Sequence, residues 1–221
     1  DGTYLATLPQ RAMAYVLESA GATWSDLAAV VAVGSVVYHP RKPLRNLTTA
    51  DVLAQLPAAV DPTRVRIVNH HYAHAVGAFA VSPFEEAAIL VADGAGNVLA
   101  DRGGGRRIPL VEHTSFYHAQ GGRICEIAKV NSGPRMMHSL GALYELVTLF
   151  AGFGKYQEGK TMGLAPYGSP ALLPQWQEAI RFDGPLDYRI HPHFQPFDWR
   201  GRLITPAFRK RFGAPRHYTE P

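Results

Sequence analysis

His70 and His74 lie four positions apart, so a helix beginning at His70 carries both imidazoles on one face, one turn or roughly 6 Å apart. Two imidazoles so placed can converge on one divalent metal. Asp93 follows a strongly apolar stretch, and in α/β proteins the end of a buried strand presents functional groups at the crevice, which makes Asp93 the candidate third ligand. Two histidines with a carboxylate favour iron, manganese or zinc over calcium. The same residues also read as ordinary core or helix-end histidines beside a ligand-free β-turn, and spacing alone leaves both readings open. His71 points about 100° away from His70 on the same helix, where it would contact substrate or orient a ligand.

Gly94 and Gly96, in Asp93-Gly94-Ala95-Gly96, permit a close backbone approach to phosphate or to metal-bound substrate. Residues 154–161 match the loose Gly-x-x-x-x-Gly-Lys-Thr order, but 139–150 before them reads as helix, whereas a phosphate loop needs a preceding strand. The match is read as accidental, although a lysine in such a loop still contacts phosphate.

The elements that must position these groups follow from periodicity and punctuation. A helix is expected over 8–20, stopped by Gly21, and a strand buried on both faces over 29–37. Residues 39–46, with two prolines and three basic residues, read as an exposed loop, followed by a short helix from a Thr48 or Thr49 cap through Leu56. A strand at Val65–Val68, a small-residue helix over 71–81 ended by Pro83, and a buried strand over 87–92 follow. Further strands are expected at 108–112 and 124–130, with a basic, glycine-rich loop over 101–107 before them. A core helix follows at 139–150, then mostly loop over 152–168 and irregular structure with one short helix at 173–180.

Composition narrows the function classes. The 221 residues, 47% hydrophobic, can fill a substantial core and rule out wholesale disorder. The excess of 22 Lys and Arg over 18 Asp and Glu, a net +4, is no nucleic-acid footprint. The single cysteine, Cys125, excludes an intrachain disulfide and every multi-cysteine metal site, so any metal must be held by His and carboxylate; it suits a cytoplasmic location. There is no run of 18 apolar residues and no signal-peptide pattern, so the chain reads as soluble with no membrane partner. Because it starts at Asp1 rather than Met, it is expected to be part of a longer protein.

Asn69-His70-His71-Tyr72-Ala73-His74-Ala75, Ala78-Phe79, Ser82-Pro83-Phe84-Glu85-Glu86-Ala87-Ala88 and Asp93-Gly94-Ala95-Gly96 together resemble the carbamoyltransferases related to nodulation and antibiotic O-carbamoylation enzymes. The likeness resumes at His138-Ser139-Leu140-Gly141 and at 160–168, Lys-Thr-Met-Gly-Leu-Ala-Pro-Tyr-Gly. Several motifs in the family's order are far more specific than any one of them. The resemblance spans 8–170 and is strong over 66–168.

That resemblance implies an α/β, actin-like ATPase fold of the Kae1-like kind. Residues 1–170 would form the amino-terminal part of that domain and 171–221 its Pro- and aromatic-rich continuation, with a YrdC-like partner domain outside the chain. It implies a divalent metal, commonly Fe(II), on His70, His74 and Asp93, with a further aspartate ligand beyond the chain, and hence doubtful activity for the fragment alone. The implied reaction makes carbamoyladenylate from carbamoyl phosphate and ATP and transfers its carbamoyl group to the hydroxyl of a small-molecule acceptor. His71 then becomes a candidate general base or an orienting residue, and Lys160, with Gly94 and Gly96, a candidate nucleotide or phosphate contact. Arg102, Arg106 and Arg107 read first as a solvated loop and second as an attractor of the anionic donor. The alternatives are a tRNA threonylcarbamoyl-transfer component and a noncatalytic nucleotide-binding module.

Overall fold

The computed structural model describes residues 8–34, 36–39, 42–99, 109–133, 136–195 and 204–217. Arg102, Arg106 and Arg107, and the start of the strand expected at 108–112, lie outside the described residues. The architecture is mixed α/β. Helix α1 (Gln10–Ser19) precedes strand β1 (Val30–Val33), β2 (Val36–His39), β3 (Lys42–Asn46), α2 (Thr49–Leu53), β4 (Val65–Val68), α3 (His70–Ala80) and β5 (Glu86–Ala92). Next come β6 (Val98–Leu99), β7 (Leu110–Gln120), β8 (Arg123–Ser132), α4 (Leu140–Phe150), α5 (Glu158–Leu164), α6 (Leu173–Trp176), β9 (Ile180–Gly184), β10 (Asp187–Ile190) and α7 (Pro206–Phe212).

The sheet that positions the site is built on β7. Thr114 faces both Ala92 of β5 and Val130 of β8, and Val111 faces both Val98 of β6 and Ser132 of β8, so β8 runs along one edge of β7 while β5 and β6 share the other. All these pairings are antiparallel. Gly121 and Gly122, at φ +56° and +74°, make the two-residue turn between β7 and β8 that needs left-handed backbone twice. Beside this sheet, β1 pairs parallel with β4 in register from Val30↔Val65 to Val33↔Val68.

Several expectations change here. The stretch 29–37 is two strands rather than one: at Gly34 the chain stops pairing with β4, its N–H donating to the Val68 carbonyl, and β2 turns to pair with β3. Nor is β1 buried on both faces, since Val31 and Val33 are 60% and 48% exposed; Leu90 of β5, at 61%, shows the same one-sided burial. The loop expected over 39–46 contains β3. Pro43 is absent from its register pairs, which accommodates a residue without an N–H. The expected loop over 152–168 contains α5, tied to α4 where the Thr161 and Thr148 hydroxyls meet at 2.9 Å; this tertiary contact outweighs the glycines' poor helix propensity. The helix at 173–180 stops at Trp176, and a β9–β10 hairpin follows.

Three apolar clusters hold the elements. The largest joins Val130 of β8, Leu143 and Leu146 of α4, Tyr188 and Ile190 of β10, Phe194 and Phe208, with Trp176 and Phe212 against it. A second gathers Val52, Val60 and Val65, and a third places Ala75 of α3 on Val91 of β5 and Tyr117 of β7. No helix among the described residues is long and apolar enough to cross a membrane. Leu146 is fully buried in the largest cluster, so Leu146→Ala should cost about 2–5 kcal/mol, read by denaturant unfolding; a loss under about 1 kcal/mol would contradict this packing.

Candidate metal centre

α3 starts directly after β4, and two asparagines satisfy its first amides. Asn69 caps it, its Oδ1 accepting from the Tyr72 N–H at 2.8 Å, while Asn97 Oδ1 accepts from the His70 N–H at 2.7 Å. The His70 ring is fixed by its Nδ1–H, which donates to the Gly34 carbonyl at 3.2 Å and leaves Nε2 pointing at the site. There Nε2 lies 2.7 Å from Asp93 Oδ2 and 3.1 Å from His74 Nε2, and His74 Nε2 lies 3.8 Å from the same carboxylate oxygen. Each of the three side chains offers one donor atom, all within 4.8 Å of one another.

Asp93 is placed as firmly as His70. Its N–H donates to the His113 carbonyl, which carries the β5–β7 ladder past the end of β5, and its Oδ1 accepts from the Gly94 N–H at 2.6 Å. The Ser139 hydroxyl, which caps α4 through the Ala142 N–H, reaches the Asp93 and Gly94 carbonyls at 3.1 and 2.7 Å. Gly141 makes this approach possible: a Cβ there would lie 2.4 Å from the Gly94 nitrogen and 2.7 Å from the Asp93 carbonyl carbon.

The electrostatics match this geometry. The Asp93 hydrogen bond raises the His70 pKa against the opposing effect of burial. Burial pushes the Asp93 carboxyl up, but the His70 bond and the Gly94 amide outweigh it and hold it below the usual carboxylate value. A divalent cation held by these residues would supply the positive charge that a proton on His70 otherwise brings to Asp93. Two imidazole nitrogens and a carboxylate, with the His74 side chain 55% exposed, suit a divalent metal that keeps an open coordination side. The donor set therefore fits the metal that the family resemblance implies.

The remaining expected site residues fall in different places. Gly94 lines a cleft of about 510 Å³ beside Asp93, with Met136, Leu140, Tyr144 and Tyr156 among its other walls. Gly96 is buried, and what its missing side chain admits is Glu112 and His71: a Cβ would lie 2.5 Å from Glu112 Oε1 and 2.7 Å from His71 Cδ2. His71 has no exposed surface; its Nδ1 meets the Ser115 hydroxyl at 2.7 Å, and burial lowers its pKa. Lys160 lies exposed on α5, and residues 154–161 follow helix α4 rather than a strand.

Sequence reasoning missed Glu112, His113 and Ser132. All are buried, and the two on β7 sit in the polar run Glu112-His113-Thr114-Ser115, whose burial on both faces of the strand breaks the usual alternation. His113 Nδ1–H donates to the Gly94 carbonyl at 3.0 Å, and its Nε2 lies 2.8 Å from the Ser132 hydroxyl, from which the neutral ring favoured by burial accepts.

Two outcomes follow. Gly141→Ala forces a methyl onto backbone that cannot yield and should cost about 1–3 kcal/mol in thermal denaturation; wild-type stability would contradict the close approach. Burial depresses the His113 pKa from 6.5 to about 4, so its contribution to stability is complete above pH 6.5 and declines toward pH 4, as the unfolded chain takes up a proton that the folded chain refuses. Unfolding curves across that window should flatten in His113→Gln, and an unchanged slope would contradict the neutral, buried ring.

The family model described as carbamoyltransferase N-terminus matches residues 49–199. The chain is 32% identical to the nodulation protein NolNO of Sinorhizobium fredii over 203 residues, 83% of this chain and 27% of that protein. It is 32% identical to an uncharacterized protein of Synechocystis over 162 residues, 69% of this chain and 22% of that one. With the nodulation protein NolO of Bradyrhizobium diazoefficiens it shares 34% over 128 residues, 56% of this chain and 20% of the relative. The chain thus spans 27% or less of the length of each of these curated relatives. The motifs around the histidine pair, Asp93 and α4 all fall within the matched region, and the chain belongs to the carbamoyltransferase N-terminus family.

Proposed function

We propose that this chain forms the metal-holding, acceptor-facing part of an O-carbamoyltransferase, within an actin-like ATPase-type fold of the Kae1-like kind. The observation that carries the reading is the convergence of His70 Nε2, His74 Nε2 and an oxygen of Asp93, the last of which also lines an open cleft, in a chain of this family. In the proposed reaction a YrdC-like domain hydrolyses carbamoyl phosphate to carbamate and inorganic phosphate, and a carbamate oxygen then bonds to the α-phosphorus of ATP as pyrophosphate leaves, giving carbamoyladenylate. The acceptor oxygen then bonds to the carbamoyl carbon, the carbon–oxygen bond to adenylate breaks, AMP leaves, and the hydroxyl proton passes to a base.

His70, His74 and Asp93 would hold the metal, Fe(II) first among the candidates, which when bound supplies a Lewis acid for the carbamoyl or phosphate oxygens. The protein's own contribution is orientation. Ser139 and Gly141 press α4 onto the Asp93–Gly94 backbone, which fixes one wall of the cleft, and a cleft of about 510 Å³ accommodates a small-molecule hydroxyl acceptor. His71, closed off from solvent and bonded to Ser115, suits the orienting role better than that of a base meeting the acceptor. Lys160, exposed on α5, is assigned to nucleotide phosphate. A reaction that consumes ATP suits the cytoplasmic location proposed from the single cysteine.

The test is metal analysis after reconstitution, with carbamoyl transfer from ATP and carbamoyl phosphate, on the whole protein and on a variant carrying both His70→Ala and His74→Ala. Stoichiometric metal and transfer to a small-molecule hydroxyl in the parent, both lost from a still-folded variant, are expected. Equal metal in the two proteins, or none in either, would overturn the metal assignment. Transfer to tRNA in place of small acceptors, or no transfer at all, would overturn the proposed acceptor class or the enzymatic reading.

A further inference from the structure

Glu112 is a carboxylate with no exposed surface on the central strand β7, outside the set of donor atoms. Its Oε1 accepts from Asn69 Nδ2 and from the Asn97 N–H, each at 2.8 Å, and its Oε2 lies 3.1 Å from Lys129 Nζ on β8. Asn69 is the cap of α3, and Asn97 closes the turn that begins at Asp93 and accepts the His70 N–H. One carboxylate oxygen therefore ties the segment carrying His70 and His74 to the segment carrying Asp93. Gly96 passes over it with no room for a Cβ. An apolar side chain of similar volume would fill the space but leave Asn69 Nδ2 and the Asn97 N–H without their acceptor, so what the carboxylate supplies is the tie between those two donors.

We infer that Glu112 is a positioning residue for the metal centre: through Asn69 and Asn97 it sets the spacing between the histidine pair and Asp93. The inference rests on the metal reading above. Ligands on two separate segments lose affinity when the groups that orient them are removed, commonly by about 10–100-fold.

The experiment measures Co(II) affinity and the visible d–d spectrum of the whole protein, with folding checked by circular dichroism. Glu112→Leu combined with Lys129→Met fills the space and removes the buried pair but abolishes the oxygen acceptor. Asn97→Ala keeps its N–H on Glu112 but removes the Oδ1 that accepts the His70 N–H, and so tests the last link of the Asn97 branch should the double variant fail to fold. Glu112→Gln keeps an acceptor oxygen. Both disrupting changes should weaken Co(II) binding by about 10–100-fold and alter the spectrum, with Glu112→Gln within roughly threefold of the parent. A purely structural role would leave affinity and spectrum unchanged in the folded variants, which overturns the inference. The variant with His70→Ala and His74→Ala separates the two ideas. If it abolishes Co(II) binding while the folded Glu112 and Asn97 variants bind normally, only the positioning role falls. If the parent binds no Co(II), or binds it equally without the histidines, the metal reading falls and takes the positioning role with it.

Discussion

The 2.7 Å approach of His70 Nε2 to the Asp93 carboxylate joins two segments 23 residues apart in sequence, and the surrounding structure serves to hold that distance. Neither side chain could do so alone. Helix α3 begins without a linker after β4, so the position of β4 beside β1 sets where the first turn lies, and Gly34 at the end of β1 supplies the carbonyl that aims the His70 ring. On the other side β5 ends at Ala92, and the ladder to β7 continues just far enough to hold the Asp93 backbone. The site thus sits where the parallel pair, the antiparallel sheet and the start of one helix meet.

A polar interior supports this junction. Glu112, His113, Thr114 and Ser115 follow one another along β7 with almost no exposed surface, in surroundings where an unpaired polar group is expensive. Partners cover nearly all of them: Asn69, Asn97 and Lys129 for Glu112, Gly94 and Ser132 for His113, Tyr188 for Thr114 and His71 for Ser115. Among the described residues His71 Nε2 and Glu112 Oε2 are buried without a hydrogen bond, the latter facing Lys129 as an ion pair. Asn69, Asn97, Gly94 and His71 lie on the segments bearing His70, His74 and Asp93, while Tyr188, Ser132 and Lys129 tie the same polar run to β10 and β8.

The convergence of the histidine pair with Asp93 was legible in the sequence because both halves are local: a spacing of four on a helix, and an aspartate at the end of an apolar strand. The helix opened by Thr48, one of the two caps expected, and the core helix over 139–150 were legible for the same reason, whereas the capping role of Ser139 was not. What escaped depends on contacts distant in sequence. β7 runs well past 108–112, with β8 nearly where it was expected, because pairing with β8 and β5, rather than apolar alternation, carries the polar run from Glu112 to Ser115. α5 forms despite Gly159 and Gly163 because α4 lies against it, and β3 forms despite Pro43 because β2 supplies a partner. Gly141 was visible within a motif, but its reason, the closeness of α4 to the Asp93–Gly94 backbone, exists only in three dimensions.

The central claim is that two imidazoles and one carboxylate from this chain share a metal. X-ray absorption of the iron- or cobalt-loaded protein tests it most directly, because imidazole rings leave multiple-scattering features that oxygen ligands do not. The account predicts a first coordination sphere of nitrogen and oxygen with two imidazoles, both lost when His70 and His74 are replaced. A sphere without imidazole scattering, or one unchanged by those replacements, would contradict it.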